Sequence, residues 1–402
     1  MPRLVLSLAL FACTLAATSL PALAQSDQSA ASPAQTAAPS YPTTDTSTVT
    51  ADGTAHITRV VPLPSILSPQ EHAKLAKSGS DTASMEPDVF KRRAMTQAWQ
   101  NGAGKQSEAV YPVKITETKV AGIPVHLVDP LPDATAGPVS GPGANAPDPL
   151  HYSALAGGGN AARPSVPETL HPDRVFLCVH GGGFDSDSGS YSEAIPIANL
   201  TRTRVVSVLY RLSPENAFPA ALDDAIAVYK ELLKTYKPDK IAVYGTSAGA
   251  ILTGEIAARI KQLRLPEPAA LGIFSGFGDY TATGDSGALF TLTGFTGPLV
   301  APKPDTPHIL PTYVGSLSPS DPVLSPNLGD LHGLPPTLFL TSSRDLLLSG
   351  TADMQRAWAR DGVPTQMTVF DGLSHAFWLD IDMPESREAY ATMARFFLQN
   401  MK

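Results

Sequence analysis

The stretch Ile241-Ala242-Val243-Tyr244-Gly245-Thr246-Ser247-Ala248-Gly249-Ala250 joins a short apolar run of buried-strand type to the helix-compatible run 251–263 through a Gly-x-Ser-x-Gly pentapeptide. A turn this abrupt leaves the positions flanking the serine almost no room for side chains. It also pushes the serine itself into a strained, exposed conformation. The pentapeptide alone proves little. With glycine and serine each at about 7% of residues, a chain of this length yields about 0.1 such matches by chance. Partners elsewhere in the chain must supply the rest.

From Arg174 onward, apolar strand candidates lie at 175–179, 205–209, 241–244, 271–275, 337–341 and 366–370. Helical patterns lie between and after them, at 220–236, 248–263, 351–361 and 385–398. Strands alternating with helices predict an α/β fold whose mostly parallel central sheet is flanked by helices. The interval 276–325, rich in Gly, Thr, Ser and Pro, breaks the rhythm and reads as an excursion over the C-terminal edge of the sheet, where ligands bind in such folds. Upstream, 111–129 alternates polar and apolar residues about Ala121-Gly122, the pattern of an antiparallel hairpin.

The N-terminal part has a different character. Arg3, an apolar run over 4–17 and Ala22-Leu23-Ala24 before Gln25 form the pattern of a cleavable signal peptide at 1–24. A membrane anchor is the alternative, but the run is short for a span and Pro21 interrupts it. Residues 25–54 are dominated by Ser, Ala, Thr, Pro and Gln and read as a disordered tether, since they cannot bury enough apolar surface to offset ordering entropy. Short amphipathic helices are predicted at 65–77 and 86–100, within an N-terminal helical segment 55–110. A catalytic domain is expected over 111–402, carrying a Pro/Gly-rich insertion at 131–172.

Cysteine usage agrees with export. Loss of the signal would remove Cys13 and leave only Cys178, inside the apolar run 175–179, where a buried structural thiol is expected rather than a nucleophile. This points to a periplasmic or secreted protein. The formal charge is -8 and no basic run occurs, which argues against nucleic acid and against stable association with anionic membranes.

A serine hydroxyl attacks only with help: a histidine base, an acid that fixes the tautomer of that histidine, and donors for the oxyanion. Val179 leads directly into His180-Gly181-Gly182-Gly183-Phe184. Successive glycines after a strand let backbone N–H groups turn toward a ligand. Gly182, Gly183 and the amide of Ala248 are the predicted donors, with His180 orienting the loop. Asp345 follows the strand 337–341 and lies after the serine and before His375, so it is preferred as the acid over Asp279, Asp321 and Asp371. His375 follows the last strand and completes the order Ser, Asp, His, whereas His308 and His332 precede the acid. Metal-ligand spacing, a phosphate-binding Gly-Lys loop and a dinucleotide fingerprint are all absent from the sequence, so neither metal nor cofactor is predicted.

HGGGF at 180–184, YRLSPENAFPAALDDA at 210–225, GTSAG at 245–249, DPVLSP at 321–326, RDLL at 344–347 and DGLSHAF at 371–377 occur in one order. Together they resemble the hormone-sensitive-lipase-type esterases of the α/β-hydrolase superfamily. The resemblance covers residues from about 111 to the C-terminus. It implies the α/β-hydrolase fold, Ser247 as nucleophile, Asp345 as acid, His375 as base and an oxyanion hole at Gly182, Gly183 and Ala248. It further implies N-terminal cap helices at 65–100, short- to medium-chain acyl esters as small-molecule substrates, and no cofactor. Two departures stand out: Thr246 occupies a position where many members carry Asp, and the 131–172 stretch exceeds the usual connection. Two other readings stay open on the sequence, an exported serine peptidase or amidase on the same fold and a non-catalytic binding relative.

Overall fold

A computed structural model describes residues 45–78, 86, 88–132, 169–282, 284–295 and 311–402. The predicted signal peptide, residues 25–44 of the predicted tether, most of the 131–172 insertion and His308 lie outside the described residues. The chain divides into two compact units, Met1–Pro62 and Leu63–Lys402.

In the first unit, β1 (Thr46–Val49) and β2 (Ala55–Thr58) pair antiparallel, with Thr46 opposite Thr58 and Val49 opposite Ala55. The expectation of a tether to residue 54 and a helical segment from residue 55 is corrected here. Asp52-Gly53 forms the turn, with Gly53 at φ 89° and the Asp52 carboxylate accepting from the Thr54 amide. Local turn chemistry makes a hairpin of a sequence with little apolar surface.

In the second unit, α1 (Pro69–Ser78) and α2 (Val89–Val110) precede an eight-stranded sheet. The strands are β3 (Val113–Val120), β4 (Ile123–Pro130), β5 (Val175–Val179), β6 (Arg204–Val208), β7 (Ile241–Thr246), β8 (Ala270–Phe274), β9 (Thr337–Ser342) and β10 (Thr365–Phe370). Their spatial order is β10-β9-β8-β7-β5-β6-β4-β3. β5 to β10 pair parallel, while β4 runs antiparallel to both β6 and β3. The predicted hairpin is β3–β4, turning at Ala121 and Gly122, both with positive φ.

Around the sheet lie α3 (Ala194–Thr201), α4 (Ala220–Leu232), α5 (Ala248–Gln262), α8 (Leu348–Arg360) and α9 (Pro384–Asn400), with two short helices, α6 (Asp285–Leu289) and α7 (Pro311–Val314), in the 276–325 interval. The central strands are buried on both faces, and their side chains divide by alternation. Leu177, Val243, Ile273 and Phe339 pack on one side with Leu222 of α4, Ile256 of α5 and Trp358 of α8. Phe176, Cys178, Tyr244 and Leu340 pack on the other with Ile195 of α3 and Phe397 of α9. Each such side chain taken out of water contributes about 1.5–3 kcal/mol. Cys178 is a buried free thiol.

Two helices differ from the sequence reading. α3 lies in a short apolar stretch between β5 and β6, too brief for its period to be read. α2 continues ten residues beyond 100, because its buried face, Gln100, Gly104 and Ser107, is polar or small and carries no apolar signal. A Cβ on Gly104 would lie 3.2 Å from Cβ of Tyr191, so the small residue permits a close approach.

One topological fact places the site. β6 follows β5 in the chain but β7 returns to the opposite side of β5, so the order reverses between β5 and β7. In open α/β sheets the crevice beyond the carboxyl ends of the strands at such a reversal is where ligands bind. The HGGG loop leaves β5 there, and the Gly-x-Ser-x-Gly turn leaves β7.

Candidate active site

β7 ends at Thr246, Ser247 adopts φ 57° and ψ -120°, and α5 starts at Ala248. A non-glycine residue in that region carries about 1–3 kcal/mol of strain, which the surroundings must hold. They do: the Ser247 amide donates to Phe274 O at 2.9 Å and its carbonyl accepts from Ile251 N at 3.1 Å. The flanking glycines are forced by β5. A Cβ on Gly245 would sit 2.3 Å from Val179 O, and one on Gly249 would sit 1.9 Å from the same oxygen.

His375, in the loop after β10, reaches both partners. Its Nε2 lies 2.9 Å from Ser247 Oγ and its Nδ1 lies 2.8 Å from Asp345 Oδ1. The carboxylate can only accept, so Nδ1 carries the proton and Nε2 is left to accept from the serine hydroxyl. Asp345 is fully buried after β9. Its Oδ1 also accepts from the Leu347 amide at 2.8 Å, and its Oδ2 from Thr341 Oγ1 at 2.9 Å and from Ser275 Oγ. Burial acts to raise the carboxyl pKa, but His375 and the hydrogen bonds from Ser275 and Leu347 outweigh it and hold Asp345 below the ordinary aspartate value.

The loop after β5 is gripped from several sides. The Gly181 amide donates to Glu193 Oε1 at 3.3 Å, and the His180 carbonyl accepts from Tyr210 Oη at 2.6 Å. The His180 ring stacks on Tyr210 at 4.1 Å, and its Nδ1 donates to Gly181 O at 2.8 Å. Gly182, at φ 108°, could not accept a side chain, since a Cβ would lie 2.2 Å from Ser186 O. The amides of Gly182, Gly183 and Ala248 donate to no acceptor among the described residues. Helix α2 clamps the same loop: Arg92 pairs with Asp185, and Arg93 donates to Asp185 O at 2.6 Å and Ser213 O at 2.7 Å while pairing with Glu215.

A serine at a strained strand-to-helix turn, bridged by histidine to a buried aspartate on this sheet order, decides the family, and comparisons agree. A family model described as the α/β-hydrolase fold (Abhydrolase_3) matches residues 176–379. The chain belongs to the α/β-hydrolase superfamily. It is 30% identical over 227 residues to an esterase of Acinetobacter venetianus, covering 56% of this chain and 74% of that protein. It is 28% identical over 227 residues to an acetyl-hydrolase of Streptomyces hygroscopicus, covering 56% and 75%. The crystal structure of an esterase E25 superposes with a TM-score of 0.66 at 26% identity, covering 86% of this chain and 98% of that one. An esterase from the bacterial hormone-sensitive lipase family superposes with a TM-score of 0.65 at 24% identity, covering 83% and 99%. The protein is thus a carboxylesterase-like hydrolase.

The other aspartates weighed from the sequence do not bond to His375 in this structure. Asp279 accepts from the Thr281 amide, Asp321 from the Val323 and Leu324 amides, and Asp371 from Ser343 Oγ. Asp279 and Asp321 hold local turns, while Asp371 ties the loop after β10 to Ser343 after β9. His332, exposed, sits with Asp330. Phe184 stacks on Tyr313, Tyr191 on His126, and Phe277 packs edge-on to Tyr280.

Four contributors escaped the sequence reading. Ser275 adopts φ 57° after β8 and aims its hydroxyl at Asp345. Thr341, at the end of β9, donates to the same oxygen. Glu193 is buried beneath the HGGG loop. The 210–225 motif, noticed only as a resemblance, braces that loop through Tyr210 and through the Ser213 amide, which donates to Phe184 O at 2.9 Å. A strand-end serine carries no local signal that it faces a carboxylate. Only the positions of β8 and β9 supply one.

Proposed function

We propose that this esterase is an exported serine hydrolase of short- to medium-chain acyl esters, acting through Ser247, His375 and Asp345 with an acyl-enzyme intermediate. The observation that carries the reading is the two-sided reach of His375, to Ser247 Oγ at 2.9 Å and to Asp345 at 2.8 Å. His375 Nε2 takes the serine proton as Oγ bonds to the ester carbonyl carbon. The negative charge that develops on the carbonyl oxygen is met by the Gly182, Gly183 and Ala248 amides. Collapse breaks the bond to the leaving oxygen, which receives the proton from His375 and departs as alcohol. Water then repeats the sequence on the acyl-enzyme and releases the acid.

Each oxyanion donor is worth about 3 kcal/mol, roughly a hundredfold in rate. Helices α1 and α2 form the cap in this reading, supported by the arginine clamp of α2 on the 185–215 region. Export rests on the signal-like pattern of residues 1–24.

The test is Ser247→Ala in folded protein, with a fluorophosphonate probe on the wild type. The expectation is loss of turnover of p-nitrophenyl esters and labelling of Ser247. Turnover at the wild-type rate by the variant would overturn the mechanism. An acyl series from acetate to laurate, run beside matched amides, tests the substrate range, and dominant amidase activity would contradict ester specificity.

A further inference from the structure

The carboxyl of Glu193 has no part in the triad, yet it lies completely buried at the N-terminus of α3 and touches the oxyanion loop. Oε1 accepts the Gly181 N–H at 3.3 Å, while Oε2 accepts no hydrogen bond from the described residues. The other end of the same peptide unit, His180 O, is held by Tyr210 Oη at 2.6 Å. One peptide plane, immediately ahead of the Gly182 and Gly183 amides, is therefore gripped at both ends. Gly181 also lies against the elbow, where an added Cβ would meet Thr246 O at 3.0 Å and Ser247 Cβ at 3.4 Å. A swing of this plane would move the oxyanion amides relative to Ser247. The Glu193 side chain fills its space closely: a Cβ on Gly189 would fall 1.9 Å from Oε1.

The groups facing this carboxyl are anionic or neutral. They are Asp187 from the same loop, Cys178 of β5, Tyr210 after β6, Tyr244 of β7 and Tyr390 of α9. Burial pushes the Cys178 thiol and the Tyr210, Tyr244 and Tyr390 phenols up, so these stay neutral around pH 8. Among the described residues, the groups that act most strongly on Glu193 include no cation. A carboxylate buried without a cation is costly, and the protonated acid is the form such a site favours.

We propose that Glu193 is a positioning residue of the oxyanion loop that works as a neutral acid: its carbonyl oxygen holds the Gly181 amide, and its ionisation would place a negative charge behind the loop on which the oxyanion must form. This rests on the oxyanion and triad assignments above. Burial, only partly offset by the Gly181 hydrogen bond, raises the carboxyl pKa to about 8, so the protonated form dominates at neutral pH and gives way on the alkaline side.

The experiment is a set of pH–rate profiles for kcat and kcat/KM, from about pH 5 to about pH 10, on wild type, Glu193→Gln and Glu193→Ala. Active sites are counted by fluorophosphonate labelling and folding is checked by circular dichroism. Wild type should lose activity on the alkaline side with a midpoint near about 8. Glu193→Ala should lower kcat by about tenfold or more, with KM changed far less, because a donor set is misplaced and ground-state binding is not lost. Glu193→Gln, which keeps the acceptor and cannot ionise, should recover most of that loss and show no alkaline limb near 8. An alkaline limb unchanged in Glu193→Gln overturns the proposal, as does equal loss in both variants with wild-type pH dependence. If Glu193→Ala does not fold, the Gln profile alone decides. Failure of the underlying reading is separate: it shows as turnover by Ser247→Ala, whatever the Glu193 variants do.

Discussion

Gly249→Ala tests most directly how the fold and the site depend on one another. The added methyl would lie 1.9 Å from Val179 O and 2.8 Å from His180 O. A carbon–oxygen contact relaxes at about 3.3 Å, so roughly 1.4 Å must open between the first turn of α5 and the end of β5. Neither side can yield alone. Val179 is paired with both Val208 and Gly245, and α5 is anchored on the sheet by Leu252, Ile256 and Ile260. Overpacking of this kind costs about 1–3 kcal/mol, and more where backbone must move. Catalysis should suffer further, because Ser247 and the Ala248 amide ride on the displaced turn, and a misplacement of about 1 Å costs on the order of a hundredfold in rate. The expected result is a clear fall in thermal midpoint and a kcat on p-nitrophenyl butyrate reduced by about a hundredfold in the fraction still folded. Gly102→Ala is the matched control, since nothing lies within 4 Å of its added Cβ in α2. It should stabilise by about 0.5–1 kcal/mol with kcat unchanged. Wild-type stability and kcat in Gly249→Ala would refute the steric account of the elbow.

Asp345→Asn should leave the fold intact and lower kcat by about ten-thousandfold, because an amide no longer enforces the tautomer in which His375 Nε2 accepts; a loss of less than tenfold in titrated enzyme would contradict it. Ser275→Ala removes one of the donors to Asp345 and leaves Thr341, so kcat should fall by about tenfold, equivalent to about 1.4 kcal/mol, with KM little altered. Stability should respond to pH through Glu193 with a definite sign. Its folded pKa of about 8 lies above the ordinary glutamate value of 4.5, so the unfolded chain releases its proton first and stability declines as pH rises between those values. The stability of Glu193→Gln relative to wild type should therefore rise across that window by up to about 1.4 kcal/mol per pH unit, measured by denaturant titration, and a flat difference would refute it. Asp345 has the opposite sign: its pKa is lowered, so its contribution is present above the ordinary aspartate value and fades as pH falls through the folded one.

The parts of this fold readable from sequence were those whose signal is local. The strands β5 and β7 to β9 are apolar runs bounded by turn residues, and the β3–β4 turn carries Ala121-Gly122 where positive φ is required. The second half of α2 is not legible in the sequence because its buried face is Gln100, Gly104 and Ser107, residues whose burial depends on what packs against them. The β1–β2 hairpin is hidden in the sequence because a polar, Ser/Thr/Ala-rich composition masks the Asp52-Gly53 turn signal.

By itself, the sequence determined where the chain must turn and which functional groups those turns carry: a serine between two glycines, a glycine run after a strand, an acid and a histidine after later strands. These follow from steric limits on a few adjacent residues. Only the tertiary structure decided which groups meet. His375 and Ser247 lie 128 residues apart in the chain, and Glu193 and Gly181 are joined across a loop and a helix start. That Asp345 rather than Asp371 faces His375, that Ser275 and Thr341 support it, and that a buried acid underlies the oxyanion loop are consequences of the β10-β9-β8-β7-β5-β6 order. A hydrogen bond between distant residues has no sequence period, because its length depends on how the sheet and helices pack together.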